Sequence, residues 1–101
     1  MVNKEVISGE GVPSSPLPFS PALKVNNMVF VSGQASVDEN GKIVNDTFEN
    51  EVRRSFDNAK KILAAAGLDF SDVVQVRNYV GNQEDLAEFN AIYKEYFQAP
   101  F

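Results

Sequence analysis

FENEVRRSFDNAKKILAAAG, residues 48–67, is the stretch that decides the fold. Its apolar residues recur every three or four positions, which places them on one stripe of a helix. The stripe consists of Phe48, Val52, Phe56, Ala59, Leu63 and Ala66. Thr47 or Asp46 can cap the first turn, and Gly67 suits the position just past the last one. The pattern predicts one amphipathic helix over about 48–66.

Short β-type segments flank this helix on both sides. Strands are predicted over 4–8, 22–25 and 28–32 before it, with Asn26-Asn27 as a two-residue hairpin turn, because asparagine tolerates positive φ. The second run, Met28 to Val31, is uniformly apolar, which is typical of a buried strand. After the helix, the alternating DVVQVRNYV, residues 72–80, predicts a fourth strand.

A second helix is predicted after Asn82, which can cap it. Its apolar stripe contains Leu86, Phe89, Tyr93 and Tyr96 or Phe97. The order is then β-β-β-α-β-α, in which a strand, a helix and a further strand form a right-handed crossover. We therefore expect the α+β class, as a two-layer sandwich with a mixed sheet and both helices on one face.

The composition excludes several kinds of site. The 101 residues suffice for one small domain and include no cysteine and no histidine. Disulfides, thiolate zinc sites and imidazole acid–base catalysis are therefore excluded. No cofactor or metal motif is found. The net charge of −5 makes nucleic acid an unfavourable partner, because phosphates are bound by basic surfaces.

The sequence carries no membrane or export signal. No apolar run approaches the roughly 20 residues of a membrane helix, and the first residues, MVNKEVISGE, lack the apolar centre of a signal peptide. A cytoplasmic location is the prediction, and a mitochondrial or plastid location with a removed presequence stays an alternative.

The apolar run at 28–31 ends in three polar or bare positions, Ser32, Gly33 and Gln34. One interpretation is a bulge with a polar strand end. The other is a ligand cleft, in which the bare Gly33 backbone approaches a ligand and the Ser32 hydroxyl donates to a carboxylate or orients water. Gln34 is expected to hold the loop in place.

Two further side chains are candidates with ordinary alternatives. Asn90 neighbours the stripe of the second helix and either faces solvent or enters a cleft. Phe19 either packs or forms a hydrophobic wall of that cleft. Arg77 is interpreted as a barrel or interface charge.

Taken together, these segments resemble the RidA/YjgF family of imine deaminases, also called endoribonuclease L-PSP. The resemblance lies in NNMVFVSGQ at 26–34, NGKIV at 40–44, RSFDNAKKILAAAGLDFSDVVQVRNYV at 54–80 and DLAEFNAIYKEYF at 85–97. It extends over essentially the whole chain. No single motif is specific, but their combination in one order is.

The resemblance implies a chorismate-mutase-like fold and a homotrimer with clefts between subunits. The implied activity is hydrolysis of enamine or imine intermediates of the 2-iminobutanoate and 2-iminopropanoate type to 2-oxo acids and ammonia, without a cofactor. Ser32 and Gly33 would then be catalytic, and Phe19 and Asn90 would bind the small-molecule imine or 2-oxo acid.

The sequence departs from the family in two respects. In the family, the segment equivalent to QAPF precedes a PAR-type motif, whose arginine binds the substrate carboxylate, and a last strand with a glutamate. Neither follows Phe101, so residues 1–101 are expected to be a single RidA/YjgF-like domain that lacks the family's last strands. Phe19 also replaces a frequent tyrosine.

The sequence leaves two other functions open. One is a non-catalytic trimeric homologue that binds small ligands, since the arginine is missing. The other is the endoribonuclease L-PSP type of translation inhibitor, against which the acidic charge and the lack of histidine weigh.

Overall fold

The computed structural model describes residues 2–9, 11–13 and 15–101. Three strands, β1 (Glu5–Ile7), β2 (Ala22–Val25) and β3 (Met28–Val31), form an antiparallel sheet in the order β1-β2-β3. Two helices, α1 (Phe48–Ala65) and α2 (Leu86–Tyr96), complete the domain. The α+β class is confirmed.

Helix α1 has the predicted length and termini. Thr47 caps it, since its Oγ1 accepts a hydrogen bond from the Asn50 N–H at 3.1 Å. Gly67 follows its end with φ +76°, a conformation that glycine adopts without strain. The predicted stripe is too narrow, however: Ile62 lies outside it and is 0% exposed. The helix therefore buries more than one row of side chains.

Two apolar clusters meet on α1. Its first half packs into an aromatic cluster with α2, whose buried members are Val52, Phe56, Ile92 and Phe97. Phe56 lies at the centre, with five aromatic ring centroids within 6.3 Å of its own. In the second half of α1, Ile62 packs against Ile7 and Ala22 of the sheet.

The hairpin turn between β2 and β3 forms as predicted. Val25 pairs with Met28, and Asn26 at the tip has φ +54°. A second turn joins Val37 to Ile43 by an isolated bridge and contains Gly41 at φ +79°. Both turns use a residue type that accepts positive φ.

The fourth strand, predicted over 72–80, does not form, and the sheet is accordingly antiparallel rather than mixed. Among the described residues, nothing pairs with this segment. Val73 and Val76 pack against the aromatic cluster, whereas Val74 and Tyr79 are 90% and 92% exposed. A strand needs a neighbour for its N–H and C=O groups, and alternation in the sequence cannot supply one.

Strand β3 is also more exposed than its apolar sequence predicts. It pairs with β2 on one side only, and Met28 and Phe30 are both more than half exposed. The register aligns Val6, Leu23 and Phe30 across the three strands, on the face opposite Ile7 and Ala22. An apolar row thus lies on the outer surface of the sheet.

The second helix begins later than the sequence predicts. A 3₁₀ turn, Gln83–Asp85, precedes α2, and Asn82 makes no side-chain capping bond. Ile92, which the predicted stripe omits, is the buried residue of α2. Within the described part of the chain, neither helix is long and apolar enough to cross a membrane.

Replacement of Ile62 by alanine is expected to lower the free energy of unfolding by about 2–5 kcal/mol, because the cavity would lie between α1 and the sheet. Urea denaturation followed by circular dichroism measures this loss. The exposed Ala64 on the same helix, changed to serine, is the control and is expected to change stability by less than about 0.5 kcal/mol. Equal effects of the two changes would contradict this packing.

Candidate functional site

The Ser32 side chain fastens the end of β3 to the loop before β2. Its Oγ donates to the Ser20 carbonyl oxygen at 2.5 Å, and its N–H donates to the Pro21 carbonyl oxygen at 3.0 Å. The single hydroxyl proton is therefore already committed. Toward a ligand, Ser32 Oγ offers lone pairs rather than the donor that the sequence suggested.

Gly33 presents open backbone next to this hydroxyl. It is exposed, and no heavy atom lies within 4 Å of the position that a Cβ would occupy. Its N–H has no hydrogen-bond acceptor among the residues that the structure describes. Donor and acceptor capacity therefore lie side by side at this strand end.

Gln34 holds the loop after β3, as its position suggested. Its Nε2 donates to the Ser32 carbonyl oxygen at 3.0 Å, which folds the side chain back over the strand end. The amide is thus used within residues 32–34.

Of the other two candidates, one is a chain neighbour of the residue that Ser32 binds. Phe19 directly precedes Ser20, the acceptor of the Ser32 hydroxyl, and is 51% exposed. Asn90 is exposed on α2, and no hydrogen bond between described residues connects it to residues 32–34. Hydrogen bonds among the described residues therefore do not join the two candidates into one cleft.

Sequence reasoning missed the polar side chains of α1 that hold the segment after the site. The buried Asn58 donates from Nδ2 to the carbonyl oxygens of Ala35 and Val37, at 3.1 and 3.0 Å. Between these carbonyls, the buried Ser36 donates from Oγ to the Val44 carbonyl oxygen at 2.7 Å. On a helical wheel, a lone asparagine beside a lysine pair looks like a solvated residue, so the pattern carried no signal for this role.

A charged pair, Arg54 and Asp46, also contacts the segment 35–37 through Ser36. Arg54 donates to Ser36 Oγ at 2.8 Å and forms an ion pair with Asp46 at 3.0 Å. The hydrogen bond from the Arg54 guanidinium lowers the pKa of Asp46 below its ordinary value of 3.8. Arg54 and Asn58 are one helical turn apart, so one face of α1 carries both.

The other two arginines, Arg53 and Arg77, differ in their pairing. Arg53 bridges Glu49 and Glu95, both at 2.9 Å, and so joins α1 to α2. Arg77 is exposed on the unpaired segment and has no ion-pair partner among the described residues. Among all residues that the structure describes, no group of three or more metal-ligating side chains occurs.

A family model described as Endoribonuclease L-PSP matches residues 11–101. The chain belongs to this family. The match confirms the resemblance to RidA/YjgF proteins, and it rests on nine tenths of the chain rather than on one motif.

Individual members of the Endoribonuclease L-PSP family agree with this assignment. A RutC family protein of Pyrococcus abyssi is 42% identical over 95 residues, which are 93% of this chain and 75% of that protein. A 2-iminobutanoate/2-iminopropanoate deaminase of Dermatophagoides farinae is 34% identical, with 100% and 80% covered. The crystal structure of Escherichia coli TdcF with bound serine superposes with a TM-score of 0.83 at 32% identity, with 93% and 74% covered.

The Asp46–Arg54 pair makes a small part of the stability depend on pH. Because the folded state lowers the pKa of Asp46, the pair stabilises fully above the unfolded value of 3.8. That contribution is lost as the pH falls through the lower folded value. Asp46→Asn is therefore expected to reduce the melting temperature near neutral pH, and the difference from wild type should shrink below 3.8.

Thermal melts across this range measure the difference, with Asp57→Asn, an exposed carboxylate on α1, as control. A difference that stays constant down to the most acidic melt would refute the assigned direction of the pKa.

Proposed function

We propose that this protein is a hydrolytic imine deaminase, which converts the imine of a 2-oxo acid and water into the 2-oxo acid and ammonia. The single observation that carries the proposal is the exposed Gly33 N–H beside the oriented Ser32 hydroxyl. Relatives that bear the name 2-iminobutanoate/2-iminopropanoate deaminase support the substrate class.

The two groups have complementary roles in this reaction. Ser32 Oγ accepts a hydrogen bond from the attacking water or from the protonated imine, because its own proton is held by Ser20. The Gly33 N–H donates to an oxygen of the substrate. Groups fixed before the substrate arrives need no reorganisation during the reaction, which is the main physical source of rate enhancement in such sites.

The substrate carboxylate also needs a cation. A guanidinium binds a carboxylate in bidentate geometry, and a neutral donor is weaker. Arg53 and Arg54 are already paired, so neither is suited to this task. We propose that turnover requires an arginine in the position of the family's PAR-type motif, and that Phe19 and Asn90 line the cleft near it.

We further propose that the cleft is closed by neighbouring copies in a homotrimer. The outer row Val6, Leu23 and Phe30 would lie in the interface, together with Tyr79. Sheet faces of this apolar character are normally covered. Asn90 of one subunit would then face Ser32 of another, since no hydrogen bond between described residues of one chain joins them.

Two alternative functions, ligand binding without catalysis and ribonuclease activity, are weighed differently by the charges of the chain. A non-catalytic ligand-binding role is favoured by one observation: Arg53 and Arg54, two of the three arginines of the sequence, are already held in ion pairs. The net charge of −5 disfavours an endoribonuclease. The cytoplasmic location stays a prediction.

The catalytic proposal is tested by ammonia release from imines generated in situ by a threonine or serine dehydratase. We expect little turnover from the 101 residues alone. We expect clear turnover when Phe101 is followed by the corresponding residues of the Pyrococcus abyssi relative. In the extended chain, Ser32→Ala is expected to reduce the rate about tenfold or more, which corresponds to roughly 1–3 kcal/mol for one positioned polar group.

Ser55→Ala is the matched control, because it removes a hydroxyl that also donates to a backbone carbonyl, but on α1. An extended chain without turnover would favour the ligand-binding role. Equal rates for the two lengths would show that the arginine is not needed.

The interface proposal predicts that Phe30→Asp converts the homotrimer to monomers, because three carboxylates would be buried against apolar surface. Light scattering with size-exclusion chromatography measures the mass. Ala64→Asp, on the exposed side of α1, is the control and should leave the trimer intact. A wild-type protein that is monomeric at micromolar concentration would contradict the proposal.

A further inference from the structure

The segment 35–37 is fastened to α1 at each of its three residues. Asn58 Nδ2 binds the carbonyl oxygens of Ala35 and Val37, and Arg54 reaches Ser36 Oγ between them. Asn58 is 5% exposed and Ser36 is 7% exposed. The Asn58 amide is therefore a buried donor, which is costly to leave without acceptors. Of its two acceptors, the Ala35 carbonyl oxygen also accepts the Val37 N–H at 2.9 Å.

The other end of the site is fastened independently. Ser32 is bound through both its N–H and its Oγ to the loop before β2. Only Gly33 and Gln34 lie between Ser32 and the anchored Ala35. A glycine in so short a span is free to sample many conformations unless both of its ends are fixed.

From this geometry we propose that Asn58 is a positioning residue for the Ser32–Gly33 site. It acts through the backbone, holding the far end of the two-residue span and thereby fixing the direction of the Gly33 N–H. This inference rests on the proposed function for its catalytic consequence, but the fixing of the span can be measured without any substrate.

The test measures backbone motion and turnover separately. Asn58→Asp keeps the shape of the side chain and removes both N–H donors. Asn58→Leu has nearly the same size and also lacks the donors, but it buries no charge. It is the second variant, to be used if Asn58→Asp does not fold. Nitrogen-15 relaxation on the 101-residue protein reports the order parameters of the Gly33 and Gln34 amides. Rigid backbone gives about 0.85 and flexible backbone gives less than about 0.6.

We expect wild type near the rigid value and the Asn58 variants near the flexible one. Ile62→Ala is the matched control, because it destabilises α1 against the sheet without touching residues 35–37. Its Gly33 and Gln34 order parameters are expected to equal those of wild type. Unchanged values in a folded Asn58 variant, or an equal loss in Ile62→Ala, would overturn the positioning role.

Turnover supplies the catalytic half of the test. In the extended chain, Asn58→Asp or Asn58→Leu is expected to lower ammonia release about tenfold at saturating imine, since misplacement by about an ångström is sufficient for such a loss. If the Gly33 and Gln34 amides of an Asn58 variant are mobile but its rate of ammonia release is unchanged, the catalytic consequence is wrong. If no form of the chain turns over, the proposed function fails, and the order parameters still decide whether Asn58 fixes the span.

Discussion

The burial of one helix against two different partners is the constraint on which the structure depends. Helix α1 carries Phe56 into the aromatic cluster with α2 and Ile62 into the cluster with the sheet. The strands are only three and four residues long, and a sheet of that size needs a packing partner to be stable. Helix α1 supplies this partner, because Ile62 packs against Ile7 of β1 and Ala22 of β2.

The same helix also sets the geometry of the candidate site. Its apolar residues determine where the sheet lies, and its polar residues, Arg54 and Asn58, determine how the chain leaves that sheet. The site is therefore built from the end of β3, the loop before β2 and one face of α1. None of these would define the direction of the Gly33 N–H alone.

Features that depend on local chemistry could be predicted from the sequence. The termini of α1, the turn at Asn26-Asn27 and the polar strand end all follow from residue types over a few positions. The fourth strand could not be predicted correctly, because its formation depends on a neighbour rather than on its own alternation. Asn58 was missed for a similar reason: its partners, Ala35 and Val37, are more than 20 residues away.

The hairpin tip has a consequence for sequence variation. Asn26 is exposed and has no packing role, yet its φ of +54° lies where most side chains collide with their own backbone. Glycine, asparagine and aspartate are accepted there, whereas valine or isoleucine would be strained. Apolar core positions, by contrast, tolerate exchange among hydrophobic residues of similar volume. In natural or selected variants, this solvent-facing position should thus be among the more restricted of the sheet.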